Sequence, residues 1–304
     1  MGNVFEFTWE ASLITWLQAY TPSFLLKILD VVTYFGDTYF LVALLAFVYL
    51  CYDKKAGRKT LMNALMSLMI ACSIKNVFKR LRPYFVHKEI KCLKIVEKEY
   101  DMYDALKQGF SFPSMHSSNI TTISGSLYVC YKKKILLFIS IFLSLIVGVS
   151  RVVFGCHYPS DVIVGLLLGA FVVTVFSYLQ DKLEDKYFYL IGVLIVVIGS
   201  IFCTSQDFYT SIGIYLGFIF CEIVDKKYIH FENTKSISRS IFRLFIALGT
   251  FLLVSNGLKL PFSSAVLNAD NYLAYLIRTL RYLIATFIGL GLTPCLYKYN
   301  FLKK

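Results

Sequence analysis

The chain has 304 residues, of which 57% are hydrophobic and only 16% charged, against about 45–50% apolar and about 25% charged in an ordinary soluble domain. This composition excludes a soluble or disordered protein. The net charge of +12 would suggest nucleic acid in a soluble chain, but here the lysines sit in short loops between apolar runs and no nucleic-acid-binding motif accompanies them, so no nucleic-acid partner is expected.

Residues 6–35 read as an interfacial segment. Trp9, Leu13, Trp16, Leu17 and Tyr20 follow helical spacing, and Pro22, Lys27 and Asp30 interrupt the next apolar stretch. The acidic N-terminus lacks the basic flank of a cleavable signal. Nine spans are then expected, at 37–52, 60–80, 114–131, 134–154, 159–180, 187–204, 207–224, 239–258 and 271–297, since a bilayer core of about 30 Å needs about 20 apolar residues per helix. The fold class is all-α, a polytopic transmembrane bundle. Its expected organisation is an interfacial segment at 1–36, a core at 37–180 and additional helices at 181–304.

Six of the eight cysteines, Cys51, Cys72, Cys130, Cys203, Cys221 and Cys295, lie in apolar runs and read as small hydrophobes. Cys92 and Cys156 fall in loops, where a disulfide between them is left open. No CxxC pair exists, so no zinc or redox motif is expected. His87 and His230 read as solvated loop residues. Arg278 and Arg281, three apart inside the ninth span, read as a structural pair or snorkelling cations, with head-group contact as the alternative.

Lys54, Lys55, Arg58, Lys59, Lys132, Lys133, Lys134, Lys182, Lys186, Lys226, Lys227, Lys235, Arg239 and the C-terminal Lys298, Lys303 and Lys304 all fall on one side of the nine-span topology. The positive-inside rule makes that side cytoplasmic. The long 84–112 connection is the exception: it lies on the outer side yet carries Lys88, Lys91, Lys94, Lys98 and Lys107, alongside Glu89, Glu97, Glu99, Asp101 and Asp104.

Four segments deliver polar groups to the outer level. Span two ends in Lys75-Asn-Val-Phe-Lys-Arg-Leu-Arg82-Pro83, span three opens Pro113-Ser114-Met115-His116, span four ends Ser150-Arg151, and span five opens His157-Tyr-Pro-Ser-Asp161. Ionisable residues at such depth are costly and mark function. Lys75, Arg82 and Arg151 suit a phosphate dianion. Seven residues apart, Lys75 and Arg82 are expected to share a helix face. Ser114 can donate a hydroxyl. One histidine can attack phosphorus while the other protonates the leaving oxygen. On a helical turn Asp161 would hold one ring nitrogen of His157. No HExxH is present, and the cations supply the charge neutralisation a metal would give, so neither metal nor other cofactor is expected.

These segments resemble the signature of the type 2 phosphatidic acid phosphatase family, which includes vanadium haloperoxidases: K-x6-RP, PSGH and SR-x5-H-x3-D, read here as Lys75-x6-Arg82-Pro83, Pro113-Ser114-Met115-His116 and Ser150-Arg151-x5-His157-x3-Asp161. The resemblance covers residues 37–180. It implies that His157 forms a phosphohistidine, that Asp161 orients it, and that His116 is the general acid and later the base. It also implies that Lys75, Arg82, Ser114, Met115 (through its backbone N–H) and Arg151 hold phosphate. Met115 stands where the family has glycine; a first-turn helical position is expected to accommodate it, whereas a positive φ would lower activity. The expected function is metal-independent, vanadate-sensitive hydrolysis of a lipid phosphate monoester or polyprenyl diphosphate within the bilayer. A soluble sugar phosphate substrate, or transfer to an acceptor other than water, are the alternatives, and a binding-only protein is a third reading. The site is expected on the extracytoplasmic or lumenal side with the C-terminus cytoplasmic. Oligomeric state is not legible.

Overall fold

The structure, a computed structural model, describes residues 5–95, 101–104 and 108–298. Glu97, Lys98, Glu99, Lys107, Lys303 and Lys304, used in the charge reading, lie outside the described residues. Among those described there is no strand. The longer helices are α1 (Thr8–Tyr20), α2 (Ser23–Thr33), α3 (Thr38–Phe47, continued by a π turn Val48–Tyr52), α4 (Lys54–Phe78), α5 (Met115–Tyr131), α6 (Lys134–Val153), α7 (Pro159–Lys182), α8 (Asp185–Phe202), α9 (Gln206–Val224), α10 (Ile237–Gly257) and α11 (Tyr272–Thr286, continued by a π turn Phe287–Leu292). All nine expected spans coincide with helices. By length and apolarity seven of them can cross a membrane, or eight if α2 and α3 form one bent span. This is an integral membrane protein with an all-α bundle.

Of the helices that fall short, α5 does so for a physical reason. α5 has only 17 residues, and its buried positions include Ser117, Ser118, Thr122 and Ser126. A hydroxyl-rich face lowers its apolarity because it packs on neighbouring helices rather than on lipid.

The chain forms two compact units, residues 1–41 with 70–182, and 42–69 with 183–304. In the first, α5 packs on α6 and α7, and α2 packs on α6. Close approach of α5 and α7 depends on Gly165, where a Cβ would stand 2.5 Å from the Ser114 carbonyl oxygen. α1 docks through Ala11 and Ile14 onto Tyr84, Ile90, Val152, Tyr158 and Val162. Its Trp9, Trp16 and Tyr20 face outward, as an interfacial stripe would. The opposite face is what the periodicity did not reveal. There Gln18 donates to the Lys91 and Val153 carbonyls and accepts from the Lys91 N–H, and Glu10 is wholly buried.

In the second unit α9 packs on α11. Buried Glu222 accepts from Tyr49 Oη at 2.8 Å and pairs with Arg58 Nε at 2.7 Å. Arg281 donates to the Ser255 carbonyl, and Arg278 to Gln206 Oε1 and Thr210 Oγ1. Both arginines hold neighbouring helices rather than an acid. His230 is exposed, as expected, but His87 is not a solvated residue. Its Nε2 lies 2.9 Å from Glu6 Oε1, just ahead of α1, and its side chain is only 16% exposed. Cys92 and Cys156 are both thiols, within hydrogen-bond reach of each other.

Candidate active site

The site assembles from the ends of α4, α6 and the starts of α5 and α7. α4 ends at Phe78, and Lys79 adopts φ +47. The expectation that Lys75 and Arg82 share a helix face is therefore corrected. A left-handed residue closes the helix, and Arg82, with ψ 154, is held extended by the following proline. The extended segment also frees Arg80 to turn inward, where a continued helix would have stacked four cations on adjacent turns.

Arg82 is buried and held through most of its N–H groups. Nε donates to the Gln108 and Gly109 carbonyls at 3.1 and 2.9 Å, Nη2 to Gln108 at 2.9 Å and Nη1 to the Cys156 carbonyl at 3.1 Å. Nη1 also lies 3.3 Å from His157 Nε2. Lys75 Nζ donates to the Phe110 carbonyl at 2.5 Å. Arg151, also buried, bonds Thr33 Oγ1 at 3.3 Å. These three cations gather around one imidazole.

His157 sits in the tight turn between α6 and α7. Gly155 makes that turn at φ +70, where a Cβ would meet the Lys91 carbonyl at 2.6 Å. His157 itself lies before the helix, which begins at Pro159, so its four-residue spacing from Asp161 is not a helical turn. Nδ1 faces Asp161 Oδ2 at 3.6 Å, too long for a hydrogen bond. The expected clasp is corrected to an electrostatic contact. Asp161 Oδ2 instead accepts from the Tyr158 N–H at 2.8 Å, half of a capping box with proline in the first helical position. Burial first, then Arg82, Lys75 and Arg151, push the proton affinity of His157 well below the ordinary value of 6.5. The ring is neutral at pH 7 and Nε2 points toward the cations.

Ser114 caps α5, accepting from the Ser117 N–H at 3.4 Å and the Ser117 hydroxyl at 3.0 Å, while its own N–H donates to the Asp161 carbonyl at 2.9 Å. Its hydroxyl proton remains to be donated. Met115 is the first helical residue, without positive φ, the placement that accommodates a side chain. The N–H groups of this turn are a ready anion site. His116 follows within electrostatic reach of His157, Arg151, Arg82 and Lys75, and Gly36 lies against its ring.

The structure thus brings together Lys75, Arg82, Ser114, Met115, His116, Arg151, His157 and Asp161. It adds two that were missed. Arg80, wholly buried, donates to Asp161 Oδ1 at 2.7 Å and to Glu10 Oε2 at 2.6 Å. The signal available was an Arg-Leu-Arg triplet, whose alternate residues reach one side of an extended chain. Glu10 carried no signal beyond being an acid in an amphipathic helix. Chemically, the arrangement offers a neutral imidazole facing anchored cations and a helix N-terminus.

A profile of the PAP2 superfamily matches residues 56–185, and one described as PAP2 superfamily phosphatase, transmembrane extension, matches residues 209–304. Among curated proteins, the chain is 29% identical over 78 residues to a lipid A 4'-phosphatase of Bacteroides thetaiotaomicron, a match covering 26% of this chain and 35% of that protein. It is 27% identical over 173 residues to a lipid A 1-phosphatase of Rhizobium etli, covering 49% of this chain and 68% of that protein. No solved structure matches.

Proposed function

The chain belongs to the PAP2 superfamily, and from that premise we propose that it is a membrane-embedded phosphatase that hydrolyses a lipid phosphate monoester or a polyprenyl diphosphate through a phosphohistidine. The observation that carries this reading is the burial of His157 with its Nε2 3.3 Å from Arg82 Nη1 and within the field of Lys75 and Arg151. Nε2 attacks phosphorus and the ester P–O bond breaks. His116, in its protonated form, gives a proton to the leaving oxygen and becomes neutral, then takes one from the water that cleaves the N–P bond. Lys75, Arg82, Arg151, the Ser114 hydroxyl and the N–H groups that open α5 hold the phosphoryl oxygens, with most of their binding directed at the charge of the transition state.

A lipid substrate is supported by the membrane setting of the site and by the two relatives, both lipid A phosphatases by name. The lysine distribution supports an extracytoplasmic site. The test uses purified protein, His157→Ala, and a panel of phosphatidate, a polyprenyl diphosphate, a phosphorylated lipid A-type glycolipid and glucose 6-phosphate, read by phosphate release. Turnover of a lipid, lost in His157→Ala, inhibited by vanadate and insensitive to EDTA, is expected. EDTA-sensitive turnover that survives loss of His157 would sink the mechanism, and turnover of glucose 6-phosphate alone would sink the lipid assignment.

A further inference from the structure

We propose that Glu10, on the N-terminal helix, acts through Arg80 as a positioning residue that sets the charge and orientation of Asp161 behind the His157 ring. The inference rests on His157 being the nucleophile.

Arg80 and Glu10 are both wholly buried. Nη2 of Arg80 meets Glu10 Oε2 at 2.6 Å, and Nη1 meets both Asp161 Oδ1 and Ser160 Oγ at 2.7 Å. The guanidinium is sandwiched between the rings of Phe5, at 4.2 Å, and Tyr158, at 3.9 Å. The other oxygen of Glu10 accepts from the Ser160 N–H at 2.8 Å. Glu10 therefore caps α7 from a different helix and grips the arginine that grips Asp161. A fork with both ends occupied has one orientation, so the Asp161 carboxylate has one too.

The charge is as telling as the geometry. One guanidinium lies between two carboxyl groups, so with both ionised this buried group carries one net negative charge, presented to His157 through Asp161 Oδ2. The groups facing His157 from elsewhere are Lys75 on α4, Arg82 on the segment after it, His116 on α5, Arg151 on α6 and Cys156 beside it. The three cations among them oppose positive charge on the ring. Yet when Nε2 of a neutral imidazole forms a bond to phosphorus and the ester P–O bond breaks, the ring becomes a phosphoimidazolium and the leaving oxygen takes its proton from His116. A group with one cation and two carboxylates offsets the three cations at that moment. A single Arg80–Asp161 pair would be neutral and would not. Removing one partner of so buried a network is costly, which makes the charge change and the folding cost separable only by choice of variant.

The test compares Glu10→Gln, Glu10→Asp and Gln18→Ala with the full-length parent, using dioctanoyl phosphatidate (or whichever panel lipid the parent hydrolyses) across pH. Gln18→Ala loosens the same helix without altering charge. For Glu10→Gln the expected result is at least a tenfold lower kcat at unchanged KM, with the acid limb of kcat/KM displaced to lower pH, because loss of a negative charge further disfavours a protonated ring. Glu10→Asp recovers part of kcat. Gln18→Ala lowers Tm and leaves the limb in place. The proposal is overturned if Glu10→Gln keeps parental kcat, or if its loss follows the loss of folded protein with the limb unmoved. His157→Ala in the same assay separates the two ideas. A dead His157→Ala beside a fully active Glu10→Gln refutes only the positioning role, whereas an active His157→Ala refutes the nucleophile on which it rests.

Discussion

Gly165 offers a severe test of whether the first turn of α5 is part of the chemistry. A Cβ at residue 165 would stand 2.5 Å from the Ser114 carbonyl oxygen, 3.1 Å from Ser117 Cβ and 3.3 Å from the Ser114 carbonyl carbon. Ordinary contact begins at 3.4 Å, and the obstacle is backbone. The turn that carries Ser114 and Met115 must retreat by about 1 Å, and overpacking of this kind costs about 1–3 kcal/mol. The same retreat strains the bond from the Ser114 N–H to the Asp161 carbonyl, 2.9 Å long. Displacing positioned groups by about 1 Å lowers turnover on the order of 100-fold. Gly165→Ala is therefore expected to fold with a reduced Tm and to lose about two orders of magnitude in kcat for phosphate release from a lipid phosphate. Gly249→Ala is the control. Among the described residues, no heavy atom beyond the adjoining helix backbone lies within 4 Å of the added carbon there, and a helix-interior glycine replaced by alanine gains up to about 1 kcal/mol. Gly165→Ala with parental turnover, or Gly249→Ala with an equal loss, would refute the reasoning.

Other outcomes follow from the same geometry. The acid limb of kcat/KM is expected below pH 6.5, since burial and three cations keep His157 unprotonated; Arg82→Gln removes one of them and moves the limb upward, toward 6.5. The matching stability effect has a fixed sign: the unfolded state takes up a proton at His157 first, so folded stability falls as pH drops below 6.5, visible as a Tm decrease that His157→Ala lessens. Met115→Gly is expected to leave kcat within a few-fold and to lower stability by about 1 kcal/mol; a tenfold gain in turnover would show instead that methionine obstructs the site. In the second unit, Tyr49→Phe removes one bond to Glu222 and costs about 1 kcal/mol. Arg58→Met leaves that buried carboxylate without its cation and costs about 3–5 kcal/mol. Thermal unfolding in one detergent distinguishes the two.

The spans were legible because a bilayer imposes length and apolarity on every helix. The residues of the candidate site were legible because the motifs fix their types and spacing. Local geometry was not. Spacing of seven suggested one helix face for Lys75 and Arg82, but the proline after Arg82 and the left-handed Lys79 break the helix between them. Spacing of four suggested a helical clasp for His157 and Asp161, but the helix starts between them, at Pro159. Glu10 was hidden for a deeper reason. Its partner is 70 positions away, and nothing local distinguishes a buried acid from an exposed one on an amphipathic helix.

The chain has two tryptophans. Both, Trp9 and Trp16, stand exposed on α1, the helix whose other face carries Glu10. The protein's intrinsic tryptophan emission is thus confined to one helix. Its wavelength and quenching report where that helix sits relative to water and lipid, with no label added. A phosphate analogue or a pH step that disturbs Glu10 and Arg80 can be followed from the reverse side of the same helix, in real time and in an unmodified chain.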